Sequence, residues 1–357
     1  MPPETRTKSE TPADSASSRR SRASGRVTLS DVAQAAGVSP MTVSRALRGE
    51  RRVAAALVDK VREVAASLGY VPDLAARALA SQKSTQVLVL VPMLSNTLFV
   101  EVLEAVHKVL FSQGYHMLIG VTHYDPAEEE QLLRAYLPMR PAGLLLTGFD
   151  HSEESRKLLA ANPVPRVHLM ELREPGTGPD CYSVGFSQIA AGAEMTRHLL
   201  NKGYRRIAFC GAQLDARVMQ RLEGYRQVLK QAGLYDQSLE ILNPERSSLA
   251  LGARQFETLL KAQTTVDAIF FCNDDIAQGA LLEANRMGVK VPQQVAIAGF
   301  NDLPGSDQMV PPLTTIHTPR DEVGSKAASM LLQLLAGDAV REVSVDLGFR
   351  LVPRAST

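Results

Sequence analysis

Seven short runs of β-branched, leucine and small residues recur beyond Gln86: VLVLVP, HMLIGV, AGLLLT, RVHLM, RIAFCG, AIFFCN and VAIAGF. Amphipathic stretches of helical length separate them. That alternation admits few folds, because strands joined by crossover helices pair in parallel and a parallel sheet needs cover on both faces. The 272 residues from Gln86 to Thr357 exceed one comfortable sheet. The pattern predicts an α/β body of two doubly wound subdomains with a cleft between them, since ligands of such folds sit outside the carboxyl ends of strands.

Ahead of this body the pattern changes to short helices. Leu29, Val32, Ala33 and Ala36 form the stripe of a one-sided helix, and Gly37 breaks it. Ser39 is a good N-cap, Pro40 suits a first helical position, and Val43, Ala46 and Leu47 give a second helix its apolar face. A third helix is expected from about Ala55 to Leu68, with Leu57, Val61, Val64, Ala65 and Leu68 inward and Gly69 as its stop. Asp73 to Ser84 holds an Ala-rich segment, LAARALA, too short to hold a helix alone and read as a conditional linker. The first 25 residues lack Leu, Ile, Val and Phe and read as a disordered tail.

Charge separates along the same boundary. The chain's net charge is +1, but residues 1–85 carry 14 Lys and Arg against 8 Asp and Glu, leaving 25 against 30 for the rest. A basic head on an acidic body points one end at a polyanion. Cys181, Cys210 and Cys272 form no Cys-x-x-Cys pair, so a reducing compartment fits best. The longest apolar stretch, Val87 to Leu94, falls far short of the ~20 residues that span a bilayer, so a cytoplasmic protein without membrane partners is expected. The seven histidines lack metal spacing, and no phosphate-binding glycine loop is present; no metal, cofactor or catalytic residue is expected.

The run TLSDVAQAAGVSPMTVSRAL, then GYVPDLAARALA, and in the body CNDDIAQGAL, VAIAGFND and PPLTTI resemble the lactose-repressor and galactose-repressor family of bacterial transcription regulators, from about Arg26 to Pro353. Within that family SNTLFVEVLEAV, GAQLDAR, SVGF and DLGF look most like the gluconate-repressor branch. The resemblance implies an all-α helix-turn-helix head on an α/β body of periplasmic-binding-protein type. Its divisions would be a tail (1–25), a head (26–72), a hinge (73–85) and an effector-binding and dimerisation body (86–357). The first lobe of the body would take about 86–184 and 317–342, the second about 185–316 and 343–357.

By the same resemblance Pro40, Met41 and Arg45 occupy base-reading positions, and Arg45 can pair bidentately with guanine. Thr28, Leu29, Ser39, Thr42 and Ser44 would offer amides or hydroxyls to phosphates, although for Ser39 a helix cap explains the residue equally well. In the hinge, Arg77 is a further DNA candidate and Leu79 would wedge into the minor groove beside its symmetry mate. Asp73 departs from the family's usual Asn, which puts a phosphate contact there in doubt. Ala54 replaces a usual Ser cap, at about 1 kcal/mol to the third helix. A symmetric wedge and a palindromic double-stranded operator require a homodimer, whose contact the resemblance places on helices such as 98–113.

For the effector, candidates at strand ends are Ser95, Asn96, Phe99, Tyr124, Asn273 and Asn301, with Asp274 and Asp302 read rather as turn-fixing groups. Glu171, Arg217 and Arg221 are also effector candidates; the two arginines lie one turn apart, so their charges repel unless an anion joins them or Asp215 and Glu171 satisfy them internally. With the resemblance, the expected effector is a sugar acid: gluconate, 2-ketogluconate or a phosphorylated relative. The expected function is a repressor released from its operator when effector closes the cleft. A neutral-sugar or purine ligand and a corepressor sign stay open, a solute-binding protein is disfavoured by the head, and an enzyme by the lack of an assembled acid, base or nucleotide loop.

Overall fold

The computed structural model describes residues 27–48, 53–71, 84–95, 97–173, 181–262 and 265–357. The chain divides into two compact units, residues 1–83 and 84–357. Among the described residues, no helix is long and apolar enough to cross a membrane. The tail, Asp73, Arg77, Leu79 and Asn96 lie outside the described residues.

The smaller unit contains α1 (Leu29–Ala36), α2 (Pro40–Leu47) and α3 (Ala55–Ser67). Val32, Ala33 and Ala36 of α1, Val43 and Ala46 of α2, and Val61 and Ala65 of α3 form its core. Gly37 closes α1 in the left-handed conformation at φ 71°, which glycine adopts without a Cβ penalty. Ala54 precedes α3 with no side-chain cap hydrogen bond. One expected core residue is misplaced by the sequence: Leu68 is 38% exposed. The helix ends at Ser67 and Leu68 is its C-cap, so the helical phase that would have turned its side chain inward is not continued.

The larger unit runs β1 (Gln86–Val91), α4 (Thr97–Ser112), β2 (His116–Val121), α5 (Pro126–Tyr136), β3 (Gly143–Thr147), α6 (Glu153–Ala161), β4 (Arg166–Leu169) and β5 (Tyr182–Gly185) in its first lobe. The second lobe follows with α7 (Gln188–Asn201), β6 (Ile207–Ala212), α8 (Ala216–Gln231), β7 (Glu240–Asn243), α9 (Leu249–Lys261), β8 (Ala268–Phe271), α10 (Asp274–Met287) and β9 (Ala296–Ala298). Last come β10 (Thr315–His317), α11 (Arg320–Ala336), β11 (Ser344–Asp346) and β12 (Arg350–Val352). All seven apolar runs contain strands. They pair in parallel within two sheets, ordered β11-β5-β4-β3-β1-β2 and β7-β6-β8-β9. β10 and β12 form a separate antiparallel pair.

This topology corrects the expected lobe boundary. Residues 343–357 were assigned whole to the second lobe, but β11 extends the first sheet beside β5, with Val345 opposite Val184. Ser183 Oγ and Ser344 Oγ share a hydrogen bond of 2.8 Å, and Leu347 N–H donates to Gly185 O at 2.9 Å. The chain therefore crosses to the second lobe only after this edge strand is paired. β5, β7 and the β10 to β12 strands carried no apolar run of their own and went unread.

Candidate functional site

The smaller unit presents α2 with one face buried and the other exposed. Val43 and Ala46 point inward, whereas Pro40, Met41 and Arg45 are exposed, Met41 by 59%. Thr42 and Ser44 are half-buried. Ser39 caps α2: its Oγ accepts the Thr42 amide at 3.2 Å and shares a hydrogen bond of 2.9 Å with the Thr42 hydroxyl. Thr28 caps α1 reciprocally with Asp31, whose Oδ2 accepts from the Thr28 amide and hydroxyl, each at 2.8 Å. Those two bonds hold the Asp31 carboxyl below its ordinary range. Leu29 packs against the core, leaving its backbone at the first turn of α1 as its polar group. Capped helix N-termini beside an exposed helix face suit a polyanion, because amide dipoles attract phosphate there.

In the larger unit a cavity of about 410 Å³, counting space open to solvent, lies between the lobes. Its apolar wall consists of Met93, Leu98, Phe99 and Met170 from the first lobe. Tyr124 faces the polar groups of the second lobe, and burial pushes its phenol pKa up. Phe99 and Tyr124 line the cavity as expected, but Ser95 is exposed and absent from the wall.

Arg217 and Arg221 both line the cavity and are 4% and 3% exposed. Their surroundings differ. Arg217 Nη1 meets Glu171 Oε1 at 2.9 Å and its Nη2 meets Asp215 Oδ1 at 3.1 Å. Burial alone would lower the Arg217 pKa, but Asp215 and Glu171 more than reverse it. Glu171 stands behind this arginine rather than on the cavity wall, its own carboxyl pushed up by burial.

Arg221 is held by neutral oxygens. Its Nε donates to Gln188 Oε1 at 2.9 Å, and its Nη1 to Cys272 O at 2.7 Å and Asn273 Oδ1 at 2.8 Å. The Phe300 ring lies 3.9 Å from its guanidinium carbon. With burial the largest influence, its pKa is lowered. A buried cation so placed gains more from an incoming anion than one already flanked by carboxylates.

Two further side chains facing the cavity leave polar atoms short of partners among the described residues. Asn301, 1% exposed and at φ 108°, donates through Nδ2 to Asn273 Oδ1 at 3.3 Å, while its own Oδ1 accepts from none of the described residues. Gln213 Nε2 is also buried and, among the described residues, makes no close hydrogen bond beyond its side-chain interaction with Tyr124. Buried polar atoms are nearly always paired, so such exceptions mark places for ligand groups or water. Gln213 and Ser247, also on the wall, were missed by the sequence; Gln213 follows β6 directly, as a strand-end residue should. Asp274 is no cavity group: it accepts from the Leu303 amide and the Ser306 and Thr315 hydroxyls, and burial pushes its pKa up to about 6. Asp302 instead pairs with Arg354 at 2.7 Å and His317 at 3.0 Å.

Residues 28–73 match the model of the bacterial regulatory proteins, lacI family, and residues 196–357 match the periplasmic binding protein-like domain. The HTH-type transcriptional regulator GntR of Pseudomonas aeruginosa is 55% identical over 339 residues, covering 95% of this chain and 98% of that relative. The crystal structure of the transcription regulator GntR from Chromobacterium violaceum superposes with a TM-score of 0.73 at 49% identity, over 76% of this chain and 98% of that one. The lac repressor dimer bound to operator and the anti-inducer ONPF superposes with a TM-score of 0.79 at 25% identity, over 93% of this chain and 99% of that one.

Proposed function

Since the chain belongs to the lacI family of bacterial regulatory proteins and is a DNA-binding transcriptional repressor rather than an enzyme, we propose that a sugar acid of the gluconate class is the effector that controls it. The observation that carries this reading is Arg221, a buried guanidinium in the cavity whose direct partners among the described residues are neutral oxygens and an aromatic face. A carboxylate supplies the missing charge and accepts a charge-assisted hydrogen bond from the Nη2 arm. Asn301 Oδ1 then accepts from a ligand hydroxyl, and Gln213 Nε2 donates to an oxygen. Phe99, Tyr124 and Asn273 complete the wall with Arg217, whose charge Glu171 balances from behind.

On the DNA side, Pro40, Met41 and Arg45 read base edges from the exposed face of α2, while Thr28, Leu29, Ser39, Thr42 and Ser44 hold phosphates near the helix starts. Arg77 and Leu79 serve the hinge in this scheme. The protein acts in the cytoplasm as a homodimer on a palindromic operator; the lac repressor dimer bound to operator supports the dimeric part of this reading. Effector binding favours one arrangement of the lobes, and operator release follows if that arrangement holds DNA less well.

Calorimetry on the full chain tests the effector. Gluconate should bind with measurable heat while neutral hexoses and purines do not, and Arg221→Met should weaken gluconate about tenfold or more, as loss of a charge-assisted hydrogen bond does. Equal affinity for gluconate and a neutral sugar would overturn the proposal.

A further inference from the structure

Arg320 opens α11 in the first lobe and is 6% exposed. Its Nε donates to Glu101 Oε2 on α4 at 2.7 Å. The rest of the guanidinium reaches the second lobe: Nη1 donates to Asn301 O, and Nη2 to Asp302 O at 3.2 Å. Nη1 also meets the Thr318 hydroxyl at 3.3 Å. One planar fork thus ties two cavity-bearing segments from opposite lobes. On one side is α4, which carries Leu98 and Phe99 into the cavity, and on the other is the backbone of Asn301, whose side chain lines it.

Asn301 needs such support. At φ 108° it occupies a region that residues with a Cβ rarely adopt, and Asp302 follows at φ 54°. Conformations of this kind persist only where the surroundings over-determine them. The amides of this turn are also held, Asn301 N–H by Ile316 O at 2.8 Å and Asp302 N–H by Thr315 Oγ1 at 3.2 Å. Both its carbonyls accept from Arg320, and the Thr318 hydroxyl also donates to Asn301 O at 3.4 Å. Guanidinium suits the task because its donors diverge in a fixed plane and it stays charged.

We infer that Arg320 is a positioning residue, which holds Asn301 in its ligand-facing conformation and transmits occupancy of the cavity at Asn301 to α4 through Glu101. The inference builds on the effector reading above but fixes a different element of it. Arg320 is not among the residues lining the cavity, so on this inference its effect on binding passes through Asn301 and vanishes once the Asn301 side chain is gone.

Two measurements on the full-length protein test it. In ligand-free hydrogen exchange, Arg320→Met should speed the amides of Asn301 and Asp302 about tenfold while those of β6 and β8 keep wild-type rates. In calorimetry with gluconate, Arg320→Met and Asn301→Ala should each weaken binding about tenfold and the double variant no further. Glu101→Gln alters a partly exposed carboxylate and leaves the core intact; it should give the same non-additive pattern at about two- to threefold. Unchanged exchange at 301–302, or additive losses in the double variant, would overturn the role of Arg320. A wild-type protein that binds no sugar acid would refute the effector proposal instead, and the exchange experiment would still decide Arg320.

Discussion

Two arginines one turn apart on α8 are balanced in opposite ways, and their substitutions should separate stability from binding. Removing one partner of a buried ion pair leaves the other charge stranded. Arg217→Met strands Asp215 and Glu171 together, so a loss of about 3 kcal/mol is expected in urea unfolding. Arg221→Met removes a buried cation that lacks a directly bonded carboxylate, and the relief offsets much of its lost hydrogen bonding. It should unfold within about 1 kcal/mol of wild type while losing gluconate-class binding. If Arg221→Met proves the less stable of the two, the electrostatic contrast between them is wrong. The sequence placed both arginines on one face but could not divide their partners. Gln188, Cys272 and Asn273 lie 33, 51 and 52 residues from Arg221 along the chain, and no local pattern connects such distances.

At the scale of elements, α7 and α8 approach closely because each has a glycine at the crossing. A Cβ on Gly192 would stand 2.3 Å from Arg221 O, and one on Gly224 would stand 2.1 Å from Ile189 O. Neither backbone can yield without separating the helices. Gly192→Ala should therefore cost about 1–3 kcal/mol, as overpacking does, and should weaken effector binding as well because it displaces the segment bearing Arg221. Wild-type affinity in a destabilised Gly192→Ala protein would show that the crossing does not position the arginine. The start of α3 offers the opposite change: Ala54→Ser supplies the absent cap and should stabilise the smaller unit by about 1 kcal/mol in thermal unfolding. Caps, breaks and stripes are local, which is why α1, α2 and the start of α3 were legible residue by residue. The end of α3 was not, since Leu68 continues the stripe after the helix has stopped. β11 was assigned to the wrong lobe because three residues of strand show no periodicity, and only pairing with β5 reveals their place.

For the whole molecule, the cancelled net charge of +1 conceals two electrostatic regimes. Residues 1–85 are net basic and the rest net acidic, so the protein should respond to salt differently at its two sites. Operator binding releases counterions from phosphates, and a dimer making about six to ten phosphate contacts loses on the order of 10³-fold or more in affinity between 50 and 200 mM salt. The effector meets a different field. Arg221 is buried beneath Phe300 and hydrogen-bonded on two sides, and buried charges are screened far less than exposed ones. Gluconate-class affinity should consequently change by less than about tenfold over the same salt range. Fluorescence anisotropy with a palindromic duplex and calorimetry with gluconate, run in matched buffers, would measure both slopes. A shallow slope for DNA would remove the phosphate-holding role from Thr28, Ser39 and Thr42. An equally steep slope for gluconate would move the acid out of the cavity and onto the exposed surface.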